Sequence, residues 1–65
     1  SFARQISMYI VREITQMPMV EIGKEFGGRD HSTVVYAIQQ IEEKSLKDPV
    51  TKATVGDIIK NIRDR

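Results

Sequence analysis

Apolar residues recur every three or four positions in the first segment of the chain, which is the spacing of one face of an α-helix. The members of this stripe are Ile6, Tyr9, Ile10 and Ile14. Pro18 interrupts the pattern, because a proline disfavours a helical residue before it but suits the first turn of a helix that follows. The pattern therefore predicts one helix over Phe2 to Thr15 and a second helix that starts near Pro18.

The second predicted helix is short and is followed by a tight turn. Its apolar residues are Val20, Ile22 and Phe26. Gly27 and Gly28 should end it, since glycine adopts a left-handed cap conformation without a side-chain penalty. Asp30 suits the N-cap of a third helix, because its carboxylate can accept the backbone N–H groups two and three positions on and faces the positive end of the helix dipole.

The third helix is predicted to run from this cap to about Lys44, and a loop is predicted over Ser45 to Lys47. The apolar stripe of the third helix consists of Val34, Ala37, Ile38 and Ile41. These four positions keep the three- and four-residue spacing, so we expect them to face the core.

The last helix is predicted over about 49–63, with Asp48 as its cap and Pro49 in its first turn. Its apolar stripe consists of Val55, Ile58, Ile59 and Ile62. Gly56 lies inside the pattern and costs about 1 kcal/mol of helix propensity relative to alanine. Together the segments predict an all-α domain of about four helices, in which the last helix closes the core.

The composition excludes several classes of protein and of site. The chain of 65 residues holds one domain at most, and it has no cysteine for a disulfide or a thiolate metal site. No apolar run approaches the ~20 residues that span a bilayer, and no signal-peptide pattern is present, so we expect a soluble cytosolic protein. The net charge is +1, so any nucleic-acid surface must be a local patch. One histidine gives little basis for catalysis, and we predict no enzyme and no bound metal.

The segment over about 18–44 has the order of a helix-turn-helix: a short helix, a glycine turn and a longer capped helix. In this motif the second helix enters the major groove of DNA with its N-terminal residues at the base edges. Here those residues are Asp30, His31, Ser32 and Thr33. Their hydroxyls can hydrogen-bond bases or phosphates, and the threonine methyl can meet a thymine methyl. Helices joined by a Gly-Gly turn also occur in bundles that bind no DNA, so the geometry alone leaves both interpretations open.

Each of these side chains also has a purely structural interpretation. Asp30 can be a helix cap alone, although capping is compatible with a base contact. His31 can be a surface histidine without a role, and serine and threonine are common in first helical turns because of local hydrogen bonds. Met8 and Met17 are predicted to be packing residues of the core or its rim rather than part of a binding surface.

A longer stretch resembles a known family. The run EIGKEFGGRDHSTVVYA, from Glu21 to Ala37, is similar to the signature of the C-terminal DNA-binding domain (domain IV) of the bacterial chromosomal replication initiator DnaA, with GGRDHSTV at its centre. Upstream, ARQISMYIVREIT is similar to the helix before that signature, and the resemblance extends from Ala3 to about Glu42. It implies sequence-specific duplex DNA binding at short asymmetric boxes in the replication origin and some promoters, which recruits the initiator to them.

The resemblance also assigns roles to single residues. The major-groove base contacts would be Asp30, His31, Ser32 and Thr33. The DNA backbone contacts would be Arg4, Gln5, Arg12, Met19, Val20, Lys24 and Arg29. Met19 and Val20 would act through backbone N–H groups, which can favour a phosphate at a helix start. Gly27 and Gly28 keep their structural role in the turn. The family binds ATP in a separate domain, so no cofactor is implied for this chain.

The chain departs from the family pattern at its start. Family members carry, ahead of the ARQ segment, another helix and a basic loop whose arginine reaches the minor groove, and this sequence begins after them. We therefore expect an N-terminally truncated domain that binds more weakly and lacks minor-groove readout. The resemblance further implies a monomeric domain in the bacterial cytoplasm, associated with the nucleoid, with regulatory proteins of initiation as additional partners.

Two other classes of function compete with DNA binding. A protein-interaction module that docks a regulator on its exposed helices is compatible with the small net charge, and it would form a salt-insensitive complex without binding DNA. An enzyme is the third alternative, and it would show a turnover that His31→Ala abolishes. The resemblance favours DNA binding over both.

Overall fold

The computed structural model describes residues 2–64, and this range contains four α-helices and no β-strand. Helix α1 spans Phe2–Thr15, α2 spans Met19–Glu25, α3 spans His31–Lys47 and α4 spans Pro49–Arg63. The prediction of an all-α domain of about four helices is confirmed.

Helix α1 buries two residues, Met8 and Ile10, which lie on different sides of the helix because they are two positions apart. Met8 is 1% exposed and Ile10 is 8% exposed, whereas Ile6, Tyr9 and Ile14 are only partly buried. The predicted stripe thus includes Ile10 but omits Met8, which is the most buried residue of α1 and lies on another side of the helix. A methionine suits this position because its flexible, unbranched side chain fills irregular space between helices.

Residues 16–18 connect α1 to α2. Gln16 has a positive φ of 57°, and its backbone N–H donates to the carbonyl of Arg12 at 2.9 Å. Pro18 is extended, with ψ 144°, and its carbonyl accepts the N–H of Ile22 at 3.1 Å. Helix α2 therefore begins directly after the proline, as the sequence predicted.

Helix α3 has 17 residues and runs past its predicted end near Lys44. The segment predicted as a loop, Ser45 to Lys47, is helical, and the helix ends at Lys47 with Asp48 as its C-cap. That prediction was wrong because polar residues in this segment do not break a helix, whereas Pro49 forces the residue before it out of the helical region. Asp48 accordingly has extended backbone angles, with φ −124° and ψ 104°.

Helix α4 has the predicted bounds, Pro49–Arg63, and begins at a side-chain cap. The carboxylate of Asp48 accepts the N–H of Val50 at 3.0 Å and the hydroxyl of Thr51 at 2.8 Å. Thr51 is buried between the helices, so this bond also satisfies a hydroxyl that is removed from water.

The apolar stripe of α4 is only partly in the core. Val55 is 4% exposed, and Ile58 and Ile59 are partly buried. Ile62 is 43% exposed, so its placement in the stripe that closes the core was wrong. Helical spacing identifies a face of the helix, but it does not show how far along that face the neighbouring helices reach.

The core forms around α3, which packs against each of the other three helices. Its main cluster consists of Met8, Ile22, Val34, Ala37 and Ile38, and Ile41 is also fully buried. The predicted stripe of α3 is therefore confirmed in full. Within the described residues, α2 and α4 both pack on α1 and α3 without contacting each other. The turn between α2 and α3 remains open to solvent, and residues 27–33 are all exposed.

None of the helices in residues 2–64 has the length and apolar character needed to cross a lipid bilayer.

Candidate nucleic-acid interface

The turn between α2 and α3 depends on two glycines in left-handed conformations. Gly27 has φ 88° and Gly28 has φ 77°, a region where a Cβ atom is disfavoured. The N–H of Phe26 donates to the carbonyl of Ile22 at 3.1 Å and so closes the last turn of α2. The chain reverses over the next residues and presents the start of α3 to solvent.

Gly23 allows α2 to approach this turn closely, and sequence reasoning missed it. It is buried, and its carbonyl accepts the N–H of Arg29 at 2.9 Å. A Cβ at this position would overlap the carbonyl oxygen of Arg29 and lie 3.5 Å from Cγ2 of Val34. A signal was available in the sequence, because a glycine inside a helical segment usually has a packing reason.

Asp30 is the N-cap of α3, as predicted. Its Oδ1 accepts the backbone N–H of Thr33 at 2.8 Å and the hydroxyl of Ser32 at 3.1 Å. The prediction needs one correction, since Ser32 contributes its hydroxyl rather than its N–H. Hydrogen bonds from Thr33, through its backbone and then its side chain, and from Ser32 lower the pKa of Asp30 below its ordinary value.

The side chains that open α3 form an exposed polar surface. This surface consists of Asp30, His31, Ser32 and Thr33, which occupy the N-cap and the first three positions of the helix. Because Ser32 donates its proton to Asp30, its oxygen keeps lone pairs for an outside donor, such as the amino group of adenine or cytosine. The cap thus fixes both the start of the helix and the orientation of a hydroxyl beside it.

A notch between the start of α1 and the start of α3 brings together residues from both predicted groups. This α1–α3 notch has a volume of about 110 Å³ and is lined by Arg4, Gln5, Met8, Arg29, Thr33, Tyr36 and Ala37. Three of the predicted backbone contacts, Arg4, Gln5 and Arg29, therefore lie around one predicted base contact, Thr33. The two predicted groups of contacts therefore share one part of the surface.

Arg12 has a structural role that the sequence did not reveal. Its Nη1 donates to the carbonyls of Gln16 at 3.2 Å and Met17 at 2.7 Å. The guanidinium therefore holds the segment after α1 in place, at a helix end where carbonyls lack intrahelical partners and the dipole is negative. A phosphate contact by Arg12 would have to use the other nitrogen atoms of the same guanidinium.

The remaining predicted backbone contacts lie on α2 and do not line the notch. Lys24 pairs with Glu21 at 3.5 Å, but both side chains are more than half exposed, at 66% and 52%. Such a pair contributes little, so a phosphate can replace the carboxylate. Met19 packs against the core and Val20 is 51% exposed. Both residues lie in the first turn of α2, where the backbone N–H groups have no partner within the helix.

Over residues 1–41 the sequence matches the family model described as the bacterial dnaA protein helix-turn-helix. This range contains α1, α2, the glycine turn and the first part of α3, and it includes every residue of the exposed α3 start and of the notch. No solved structure matches the chain.

Proposed function

This chain belongs to the bacterial DnaA helix-turn-helix family, and we propose from its geometry which residues bind DNA and how they do so. The domain is a non-catalytic one, which binds DnaA boxes at the replication origin. The observation that carries the residue-level proposal is the exposed, capped start of α3 beside a notch that contains two arginines.

The first turn of α3 is proposed to enter the major groove and contact the base edges. Its side chains are compact, so the helix can approach closely within a groove about 12 Å wide. Ser32 accepts from base amino groups, and the methyl of Thr33 contacts a thymine methyl. Asp30 accepts from an amino group of cytosine through Oδ2, since its Oδ1 is used in the cap. His31 can donate to the acceptor atoms N7 and O6 of guanine.

Phosphate contacts are proposed to hold this helix in register. Arg4, Gln5 and Arg29 surround Thr33 in the notch, so their phosphate contacts would fix the depth at which Thr33 meets the bases. Further contacts come from α2, through Lys24 and the backbone N–H groups of Met19 and Val20. Arg12 acts mainly by holding the α1–α2 connection, with a phosphate as a second partner.

We propose that the domain binds as a monomer, because a symmetric dimer would require two matching half-sites and the family's boxes are asymmetric. Its ligand is chromosomal DNA, so the proposed place of action is the nucleoid in the bacterial cytoplasm. Promoter boxes and regulatory proteins of initiation are proposed as additional partners on the basis of the family.

The test is a fluorescence-anisotropy titration with a duplex carrying a DnaA-type box and a scrambled duplex of equal length, over a series of salt concentrations. Thr33→Ala keeps the backbone N–H that caps α3 and removes the γ-methyl and the hydroxyl, whose hydrogen bond to Asp30 is secondary to that of the backbone. We expect its affinity for the box to fall roughly tenfold while its affinity for the scrambled duplex changes little, since one good base contact has about this effect.

Thr54→Ala is the matched control, because Thr54 is an exposed threonine on α4. It should leave both affinities unchanged. Equal losses on the two duplexes for Thr33→Ala would contradict the base-contact role. Equal binding of the two duplexes by the unchanged protein would contradict sequence-specific recognition by this chain.

A further inference from the structure

We propose that Tyr36 is an additional DNA-binding residue, and that its hydroxyl donates a hydrogen bond to one DNA phosphate held in the α1–α3 notch. This inference rests on the proposed function, because it extends the contact surface of α3 by one helical turn beyond Thr33. Tyr36 is exposed and is not part of the hydrophobic core.

The position of Tyr36 on α3 separates it from the packed residues of the same helix. Its neighbours Val34, Ala37 and Ile38 are buried, whereas Tyr36 is 58% exposed. It follows Thr33 by three positions, and residues at this spacing are neighbours on one helix face. A large aromatic side chain with a polar tip is therefore held beside the proposed base contact without being needed for the core.

The chemistry of the notch favours an anion. Its lining residues include two arginines, Arg4 and Arg29, and two residues that carry hydroxyls, Thr33 and Tyr36, but no aspartate or glutamate. Arginine presents a planar set of donors that matches phosphate oxygens, and hydrogen bonds to a charged acceptor are stronger than neutral ones. On duplex DNA the anion that such a group of donors meets is a phosphate.

The length of α3 explains why Tyr36 would contact the backbone rather than a base. The helix has 17 residues, which at about 1.5 Å per residue is roughly twice the ~12 Å width of the major groove. Only its start can lie between the base edges, so the following turn meets the edge of the groove. Arg4 of α1 lines the same notch, which places a second donor at that edge.

The first experiment compares Tyr36→Phe with the unchanged protein on the box duplex and on the scrambled duplex. We expect affinity to fall roughly three- to tenfold on both, because a phosphate contact is independent of sequence. The dependence on salt should keep its slope, since no charge is removed. Tyr9→Phe is the matched control: it removes the same hydroxyl from α1, where Tyr9 lines a different pocket with Leu46 and Lys52, and it should have no effect.

The second experiment replaces single phosphates of the box duplex by neutral methylphosphonates, one position at a time. At one position the loss of affinity should be clearly smaller for Tyr36→Phe than for the unchanged protein, because the two changes remove the same hydrogen bond. Additive losses at every position would overturn the proposal. So would unchanged binding by Tyr36→Phe, or a loss confined to the box duplex, which would indicate a base contact instead. In each of these cases the unchanged protein's preference for the box would still test the proposed function separately.

Discussion

At the scale of single residues, two aspartates act as the N-caps of α3 and α4, the two helices that form the second half of the domain. Asp30 caps α3 and Asp48 caps α4, and each accepts hydrogen bonds from a backbone N–H and from a hydroxyl of the first turn. Asp30 is exposed and Asp48 is partly buried, and the hydrogen bonds that each carboxyl accepts lower its pKa. The hydrogen bond from the Thr51 hydroxyl is the largest cause of the lowered pKa of Asp48. Because Thr51 is buried, this bond also connects the cap of α4 to the core.

We expect the domain to lose thermal stability on acidification through these two carboxyls. A carboxyl whose pKa is lowered by folding contributes stability that is complete above its unfolded pKa, about 3.9, and is lost as the pH falls through its lower folded pKa. The melting temperature should therefore fall progressively below about pH 4. The double variant Asp30→Asn with Asp48→Asn should have a lower melting temperature at pH 7. Below pH 4 its melting temperature should change less with pH than that of the unchanged protein.

The control for this experiment is Asp57→Asn, which changes an exposed aspartate of α4 that caps no helix. It should keep the acid dependence of the unchanged protein, measured by circular dichroism during thermal unfolding at each pH. If the double variant and the unchanged protein show the same acid dependence, these caps are not its source.

The caps were predictable from sequence because their partners lie within three residues along the chain. The role of Arg12 was not, because its acceptors become available only when Gln16 takes a positive φ and turns the segment after α1 back toward it. The position of Tyr36 beside Arg4 was also not predictable, since it depends on how α1 packs against α3. Local hydrogen bonds can be inferred from spacing, whereas contacts between helices require the packing itself.

At the scale of elements, the helix-turn-helix is held at a close approach between α2 and the turn after it. We expect Gly23→Ala to destabilise the domain by roughly 1–3 kcal/mol, the usual cost of overpacking, although alanine is the better helix former. The reason is that the new methyl would overlap the carbonyl oxygen of Arg29. Urea unfolding followed by circular dichroism measures the change.

Gly56→Ala is the matched control, because the same substitution is made in α4 at an exposed site where a Cβ would meet nothing within 4 Å. It should stabilise the domain by up to about 1 kcal/mol through helix propensity alone. Opposite signs for the two variants are the expected result. A stabilising effect of Gly23→Ala would show that α2 and the turn can separate without cost.

The element boundaries that were predicted correctly coincide with residues that restrict the backbone. Pro18 precedes α2, the pair Gly27 and Gly28 follows it, and Pro49 opens α4. The errors arose where polarity was used instead, as in the supposed loop over Ser45 to Lys47. Periodicity likewise identified the face that contains Ile62, but burial depends on which helices cover that face.

At the scale of the whole molecule, a chain of net charge +1 must bind a polyanion through an uneven distribution of charge. The residues that line the α1–α3 notch include two arginines and no aspartate or glutamate, so positive charge is concentrated there. Other cations, such as Lys52 and Lys60, lie on α4, which does not contact α2. If the position of a cation matters more than the total charge, removing one from the notch should change the salt dependence of DNA binding, and removing one from α4 should not.

Arg29→Ala and Lys60→Ala test this directly, because each lowers the net charge from +1 to zero. A phosphate contact changes the slope of log affinity against log salt by about 0.9 on duplex DNA. We expect Arg29→Ala to reduce the magnitude of the slope by roughly that amount on both box and scrambled duplexes, and Lys60→Ala to leave it unchanged. Equal changes for the two variants would mean that overall charge, and not the notch, determines the electrostatic part of binding.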